Sequence, residues 1–526
     1  MKNSVRGDAL NAGETPALPA PKDAAAVILL RADTNPKNPE VFWVRRSSKL
    51  VFLGGFYAFP GGQAERNDAD APITNCADEG RAAMISCAAR ELFEETGVLL
   101  AQGAEALTMG QRASLLDDLE SERMSWPELL NHCGLQLDGS QFIFVGRWLT
   151  PPFAPRRFDT WFFLVNCPAK QQPAISGDAE LESGEWISAS DGYARWRHNE
   201  IVAVPPILHA LKILAAGLGD DLVERFLSVP EAHREPTRRI EFRPNYICFP
   251  VRTPTKPPAT HTSCYLIYTT KEILVIDPGS PYEDEQQALA ACIDDLIREG
   301  RTVREIVLTH VHPDHVAGVK PLNDHLEKHH RRRAAVAAHK MTAEALKDQF
   351  TVERSIEDGE VITLQGEPAI QLRALHTPGH ARGHLCFYDQ RNGVLITGDN
   401  VVGFGSVLID PSDGNMSQYL NSLTRMRSLP GISVLLPGHG PAVANPYEKI
   451  DEYIAHRLTR EALILDAIRE GAATPKEIVT RAYTDVSPKA HAMAERAVLA
   501  HLEKLIDDGL VAEGSAGHYL TTATKV

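Results

Sequence analysis

Three histidines and an aspartate fall within six residues in Thr309-His310-Val311-His312-Pro313-Asp314-His315. Imidazole and carboxylate groups at that density are costly to bury unless something pairs with them. From a tight loop they can converge on two adjacent metal ions, and the mixture of nitrogen and oxygen donors suits zinc. A second stretch, Arg90-Glu91-Leu92-Phe93-Glu94-Glu95-Thr96-Gly97-Val98, has a different character. Wound into a helix, it brings Glu91, Glu94 and Glu95 within an arc of about 100°. Carboxylates crowded on one face repel one another unless a cation sits among them, and an all-oxygen set suits Mg2+ or Mn2+. Arg90 stands one turn before Glu94 and can orient it. Taken alone, this run is equally the pattern of a solvated acidic helix face.

Both stretches need elements to hold them. A helix over about residues 79–96 carries the three glutamates, with Gly97 placed to end it in the left-handed conformation. Strand-like runs precede it at residues 25–30 and 41–44. The histidine-rich loop directly follows the β-rich run Ile306-Val307-Leu308. Similar runs lie at residues 273–276, 393–396 and 434–436, each followed within a few residues by Gly, His or Asp. Loops at strand ends are where chemistry is commonly carried. After Pro446 the chain reads as helical, and Thr474-Pro475 and Ser487-Pro488 are cap-plus-proline pairs that open two further helices. Leu510-Val511-Ala512 and His518-Tyr519-Leu520, around a Gly-rich turn, predict a small hairpin.

The 526 residues suffice for about three domains. With 43% apolar and 23% charged residues, a collagenous or wholly disordered chain is excluded. No apolar run approaches about 18 residues, so no membrane span is expected. The net charge of −15 disfavours non-specific adhesion to nucleic acid or anionic membrane. Eight scattered cysteines without a C-x-x-C pair read as reduced, mostly buried thiols, which makes a cytoplasmic enzyme the expectation. The division that follows is a flexible leader over 1–22, a first domain over 23–229, a linker over 230–245, a second domain over 246–446 and a helical module over 447–526.

Phe59-Pro60-Gly61-Gly62 and Glu65 precede the glutamate helix, and the combination resembles the Nudix hydrolases, whose box reads G-x5-E-x7-R-E-U-x-E-E-x-G-U. The second half matches at every specified position. In the first half, Asp68 stands where the glutamate is expected and Arg90 arrives 14 residues late, so residues 67–79 read as part of an insertion. Arg46-Ser47-x3-Val51-x3-Gly55-x3-Phe59 resembles the element upstream of the box in coenzyme A-cleaving members, with Val51 where those carry Arg. Arg147-Trp148-Leu149-Thr150-Pro151 and Arg156-Arg157-Phe158-Asp159-Thr160 resemble the same subgroup, with the Arg pair read either as phosphate contacts or as a solvated turn. The resemblance implies an α+β Nudix fold, a mixed sheet with helices, and Mg2+- or Mn2+-dependent diphosphate hydrolysis. Coenzyme A or acyl-CoA is the favoured substrate and another nucleoside diphosphate derivative the alternative. It implies Glu91, Glu94 and Glu95 as metal-binding and catalytic groups, and Arg46, Gly61, Gly62 and Arg90 as substrate-binding.

Downstream of the histidine-rich loop lie Thr377-Pro378-Gly379-His380, Thr397-Gly398-Asp399 and Pro437-Gly438-His439-Gly440; upstream lies Ile276-Asp277-Pro278-Gly279. In order and spacing the set resembles the metallo-β-lactamase fold superfamily. That resemblance implies an αβ/βα sandwich holding two Zn2+, with iron or manganese as alternatives. His310, His312 and His380 would hold the first ion, Asp314, His315 and His439 the second, and Asp399 would bridge them, with Asp314 also counted as catalytic. Asp277 reads as an anchor behind the ligands. His376 and His384 read as packing neighbours, and His384 also as a candidate substrate contact. Residues 328–333, Lys-His-His-Arg-Arg-Arg, could meet an anionic substrate or form a solvated helix end.

Tyr453-Ile454-Ala455-His456-Arg457, with the helices and hairpin after it, resembles the lactamase-beta-like branch, which ends in a winged helix and includes a mitochondrial endoribonuclease. Residues 447–526 carry 10 Lys/Arg against 13 Asp/Glu. That balance argues against a strong nucleic-acid grip, so a structural cap or dimer element stands beside an RNA reader. The expectation is a bifunctional metallohydrolase of a small diphosphate and a small ester or thioester. RNA is a less favoured substrate, membrane is excluded as a partner, and a homodimer is compatible with the pattern.

Overall fold

The computed structural model describes residues 20–50, 52–175, 180–514 and 517–522, and the chain divides into two compact units between Pro244 and Asn245. Residues 1–19 of the expected leader, and Val51, lie outside the described residues.

The first unit is built on the strand Lys22–Leu30, whose apolar run is buried on both faces. Ala25, Val27 and Leu29 join one core cluster and Ala26, Ile28 and Leu30 another, as the two-residue period of a strand requires. This strand pairs in parallel with Phe158–Asn166 and antiparallel with Glu40–Arg46 and Gly61–Gln63. Leu181–Ser188 extends the mixed sheet beyond Glu40–Arg46, and Ile143–Leu149 extends it beyond Phe158–Asn166. The helix Glu79–Thr96 covers one face through Ile85, Leu92 and Phe93. Pro205–Ala215 covers the other through Ile207, Leu211 and Leu214. The insertion is folded: Ile73–Thr74 pairs in parallel with Leu137–Asp138.

The stretch 230–245, expected as a linker, is corrected by the structure. His233–Pro236 pairs in parallel with Ile143–Leu149, and Ala232 is buried beneath it. Its prolines fit because an edge strand leaves amide positions that need no partner.

The second unit holds two sheets. In one, Tyr246–Arg252, His261–Tyr268 and Glu272–Ile276 run antiparallel, then Thr302–Val307 and Ala335–Ala338 continue in parallel. In the other, Val361–Leu364, Ile370–His376, Leu385–Asp389 and Val394–Gly398 run antiparallel, with Val434–Pro437 parallel to the last. The helices Glu283–Arg298 and Val319–His330 bury Ile293, Leu296, Leu322 and Leu326 against the first sheet. Met416–Arg427 and Pro446–Arg469 bury Tyr419, Leu423 and Ile450 against the second.

The C-terminal module follows within the same unit. Pro475–Ala482 opens on a reciprocal Thr474–Glu477 capping box. The Ser487-Pro488 pair opens a 3-10 turn, Pro488–Ala490, that feeds the helix His491–Asp507. The hairpin Val511–Glu513 with Tyr519–Thr521 closes over Leu502 and Leu505. Arg496 joins Asp410 through two contacts, at 3.0 and 2.5 Å, and thereby ties this module to a loop of the sandwich. Among the described residues no helix is long and apolar enough to cross a membrane.

Candidate metal centres

The glutamate helix begins at an Asp78 cap and ends at Gly97, whose φ of 68° is left-handed as its position requires. Arg90 is buried along it and works inward. Its guanidinium grips Asp68 through Nε and Nη2 at 2.9 and 3.1 Å, and its Nη1 donates to Glu91 and Glu94 at 2.9 Å each. The expected substrate contact of Arg90 is therefore corrected: every direction in which it donates is already taken by the chain. Asp68 is 2% exposed and fills the place of the box glutamate as the anchor of Arg90. The insertion lengthens the chain between them without separating the pair.

Gly61 and Gly62 let the strand lie against this helix. The Gly61 amide donates to Glu95 at 2.9 Å, and a Cβ on Gly62 would meet the Glu91 carboxylate at 2.4 Å. Both glycines serve a close approach of backbone to carboxylate. Burial, partly offset by Arg90, pushes Glu91 up to about 7, and burial beside Glu91 holds Glu95 well above the carboxylate range. Such groups gain from a cation, but Glu91, Glu94 and Glu95 are not among the residue groups whose ligand atoms lie within 4.8 Å of one another, unlike the donors of the second unit. Burial lowers Arg46, which faces Glu95 and Glu180, so it stands next to the carboxylate cluster. Arg156 is exposed, and Arg157 donates to the Thr150 carbonyl at 3.3 Å.

In the second unit the six expected imidazole and carboxylate residues and Asp399 do come together. His310 Nε2 and His380 Nε2 each lie 3.0 Å from His312 Nδ1. His315 Nε2 lies 3.4 Å from His439 Nε2, which lies 3.4 Å from Asp314. Asp399 stands between the two groups, 3.6 Å from His380, 3.3 Å from His315 and 3.2 Å from His439. Zinc bonds of 2.0–2.1 Å in a tetrahedron place neighbouring donors about 3.3 Å apart, close to these separations.

The outer nitrogens decide which lone pairs face inward. His380 and His439 approach the carbonyls of Leu408 and His261 with Nδ1, at 3.0 and 2.8 Å; a carbonyl only accepts, so Nδ1 carries the proton. His315 Nδ1 meets Asp277 at 2.8 Å in the same way. Thr309 donates to Asp277 at 2.5 Å, which leaves its oxygen to accept from His310 Nδ1 at 2.9 Å. Four Nε2 atoms thus aim at one centre, and His312 reverses the pattern with Nδ1. Burial and the neighbouring imidazoles keep His310 and His380 neutral, His380 at about 3. Carboxylates around His315 and His439 overcome their burial and raise both, His439 to about 10, so without a cation their Nε2 atoms hold protons between them and the carboxylates. Asp399 Oδ1 is buried without a hydrogen bond. The neutral His310 and His380, and the protons that a cation would displace from His315 and His439, fit bound metal ions around Asp399.

Asp277 is the anchor expected of it, and holds both the Thr309 amide and His315. The loop passes so close that a Cβ on Gly279 would lie 1.7 Å from the Asp314 carbonyl. His384 is corrected as a substrate contact. It is fully buried, with Nδ1 beside Thr377 and Asn400 and Nε2 accepting from the Asp399 amide at 3.2 Å. His376 stacks on His339 with ring centroids 4.0 Å apart. The sequence carried no signal for Leu408, His261 or Thr309 as orienting partners, because two of them act through backbone carbonyls.

Family models agree with this geometry. The Metallo-beta-lactamase superfamily matches residues 257–439, the Beta-lactamase associated winged helix domain 474–518, and the NUDT19 Nudix domain 77–214. A Beta-lactamase-like protein 2 homolog of Caenorhabditis elegans is 29% identical over 253 residues, 48% of this chain and 80% of the relative. An Atrochrysone carboxyl ACP thioesterase of Aspergillus chevalieri is 30% identical over 245 residues, 44% of this chain and 71% of the relative. Among solved structures, a Nudix hydrolase from Alicyclobacillus acidocaldarius is 32% identical, covering 41% of this chain and 99% of its own, with a TM-score of 0.34. A metallo-β-lactamase family protein from Thermus thermophilus is 24% identical, covering 53% and 99%, with a TM-score of 0.43. The chain belongs to the metallo-β-lactamase superfamily and carries a Nudix domain ahead of that fold and the associated winged helix behind it. It is a hydrolase.

Proposed function

We propose that the second unit hydrolyses a small thioester or ester and that the Nudix unit cleaves a nucleotide-linked diphosphate, with coenzyme A or its acyl thioesters favoured. The observation that supports the first half is the convergence of four Nε2 atoms and His312 Nδ1 around Asp399 and Asp314. His310, His312 and His380 would hold one Zn2+, Asp314, His315 and His439 a second, and Asp399 both. When bound, such ions polarise a carbonyl and acidify water to a pKa near 7. The chain's own part is orientation. Asp277 fixes His315 and the Thr309 amide, and the Leu408 and His261 carbonyls fix two more imidazoles, so little rearrangement is needed when substrate arrives.

The thioester choice is supported by the thioesterase name of the Aspergillus chevalieri relative. The endoribonuclease reading is disfavoured by the placement of the one compact basic run. Residues 328–333 lie at the far end of the 12-residue helix Val319–His330, about 18 Å along it from the metal loop. Within that run His330 is paired with Asp294 and Arg333 with Glu327.

In the Nudix unit, Glu91, Glu94 and Glu95 would hold Mg2+ or Mn2+, which screens the diphosphate charge. Arg90 spaces Glu91 and Glu94, the Gly61 amide holds Glu95, and Arg46 supplies a cationic group beside them. A cytoplasmic setting fits the eight free thiols.

The test is an assay of the full chain, with Mg2+ and Zn2+ separately, on CoA thioesters, ADP-ribose, NADH and single-stranded RNA. Thioester hydrolysis should disappear in His312→Ala and diphosphate cleavage in Glu94→Gln, each without the other. RNA cleavage that needs His312 and fades steeply with salt would overturn the small-molecule reading in favour of a nuclease.

A further inference from the structure

Away from the catalytic cluster, the helices Glu283–Arg298 and Val319–His330 bring three potential ligands together. His325 Nε2 lies 3.0 and 3.1 Å from the two oxygens of Asp294, and His330 Nε2 lies 2.7 Å from the first of these. The three candidate ligand atoms all fall within 4.8 Å of one another. On an ideal helix, residues five apart stand about 140° apart, so His325 and His330 would not share a partner. They do so by reaching round opposite sides of the last helical turn to the Asp294 carboxylate on the neighbouring helix.

Each of these side chains is about a quarter exposed, at 24% for His325 and 27% for Asp294 and His330. An ion there could keep water in its remaining positions. Two imidazoles and one carboxylate with open positions are a donor set for zinc and neighbouring transition metals, and unlike an all-oxygen set do not favour Mg2+ or Ca2+. The carbonyls at the end of Val319–His330 add partial negative charge, which favours a cation at that end.

We propose that Asp294, His325 and His330 form a further metal site, separate from the catalytic centre, for a divalent transition-metal ion of the zinc class. The ion would take the place of the N–H protons that now bridge Asp294 to the two rings, both imidazoles binding through Nε2. It would act as a staple between two helices that otherwise meet through apolar side chains. One of them, Val319–His330, starts four residues after the ligand His315. Lys328 and Arg331 to Arg333 add opposing charge near the site, so binding should be seen at micromolar zinc.

The test uses the full chain with its catalytic site loaded, dialysed and then titrated with zinc chloride. Bound zinc is read by elemental analysis after gel filtration, and thermal unfolding is followed alongside. The wild type should take up one more zinc per chain than His330→Ala and than Asp294→Asn, with a zinc-dependent rise in Tm that neither variant shows. Thioester hydrolysis should stay within twofold of wild type in both. Equal zinc uptake by the wild type and His330→Ala would overturn the proposal and leave the three residues as a hydrogen-bonded triad. So would extra uptake that survives in both variants.

Discussion

His380 donates to the carbonyl of Leu408 at 3.0 Å, and the carbonyl of the preceding residue, Val407, is held by the buried guanidinium of Arg457. A ligand of the candidate zinc centre is thereby oriented from the helix Pro446–Arg469, outside the loop that carries it. Asp410 on the same segment is gripped by Arg496 from the winged helix, and this contact and Ser412 hold its carboxyl well below the usual range.

Arg496→Ala should therefore weaken the centre without unfolding it. Losing a group that orients a ligand costs about 10- to 100-fold in metal affinity or activity when it contacts the ligand directly. One step further out, a loss of severalfold in second-unit turnover is expected, with faster release of metal to a chelator. Metal release at the wild-type rate would show that the loop needs no such support.

Asp399→Asn should be the most damaging single change in the second unit. It removes charge from the one carboxylate within reach of His315, His380 and His439. At least a tenfold fall in hydrolysis is expected, with metal content reduced at both positions by elemental analysis. Nudix activity, measured in the same preparation, should be unchanged.

Asp68 and Glu94 should separate stability from chemistry in the Nudix unit. The Asp68–Arg90 pair is buried on both sides, at 1% and 4% side-chain exposure. Removing one partner of such a pair costs about 3–5 kcal/mol. Denaturant unfolding should show Asp68→Ala destabilised by that order, and Glu94→Gln near wild type but at least tenfold slower in diphosphate cleavage. A stable, active Asp68→Ala would contradict the anchoring role.

His339 gives a pH dependence whose sign is fixed. Burial, with His376 stacked against it, lowers its pKa to about 4 from an ordinary value of 6.5. Between these values the unfolded chain binds more protons than the folded one, so stability is full above about 6.5 and falls as pH drops toward 4. His339→Asn keeps a polar group able to cap Met341 and removes the titration. Relative to wild type it should flatten the stability profile by up to about 1.4 kcal/mol per pH unit in that window. Parallel profiles for the two proteins would rule the assignment out.

Much of the site could be read from the sequence because its chemistry is local. His310 to His315 sit on one loop after a β-rich run, and the glutamates sit on one helix at three- and four-residue spacing. What could not be read depends on long closures or on backbone atoms. The Asp68–Arg90 pair spans an insertion, and the Arg496–Asp410 contact joins residues 86 apart. Leu408 orients His380 through a carbonyl that any residue type would supply. Asp294, His325 and His330 follow no motif, since their meeting depends on how two helices pack. The prolines and charges of residues 230–244 suggested a linker because composition alone does not distinguish a loop from an edge strand.

The grip of Arg457 and Arg496 on residues 407–410 also bears on how this polypeptide can change over generations. Exchange of the winged helix would take Arg496 away from the loop that holds a candidate metal-binding histidine. A module swapped in its place would have to supply a cation opposite Asp410, so hydrolase and winged helix are expected to vary together at these two positions.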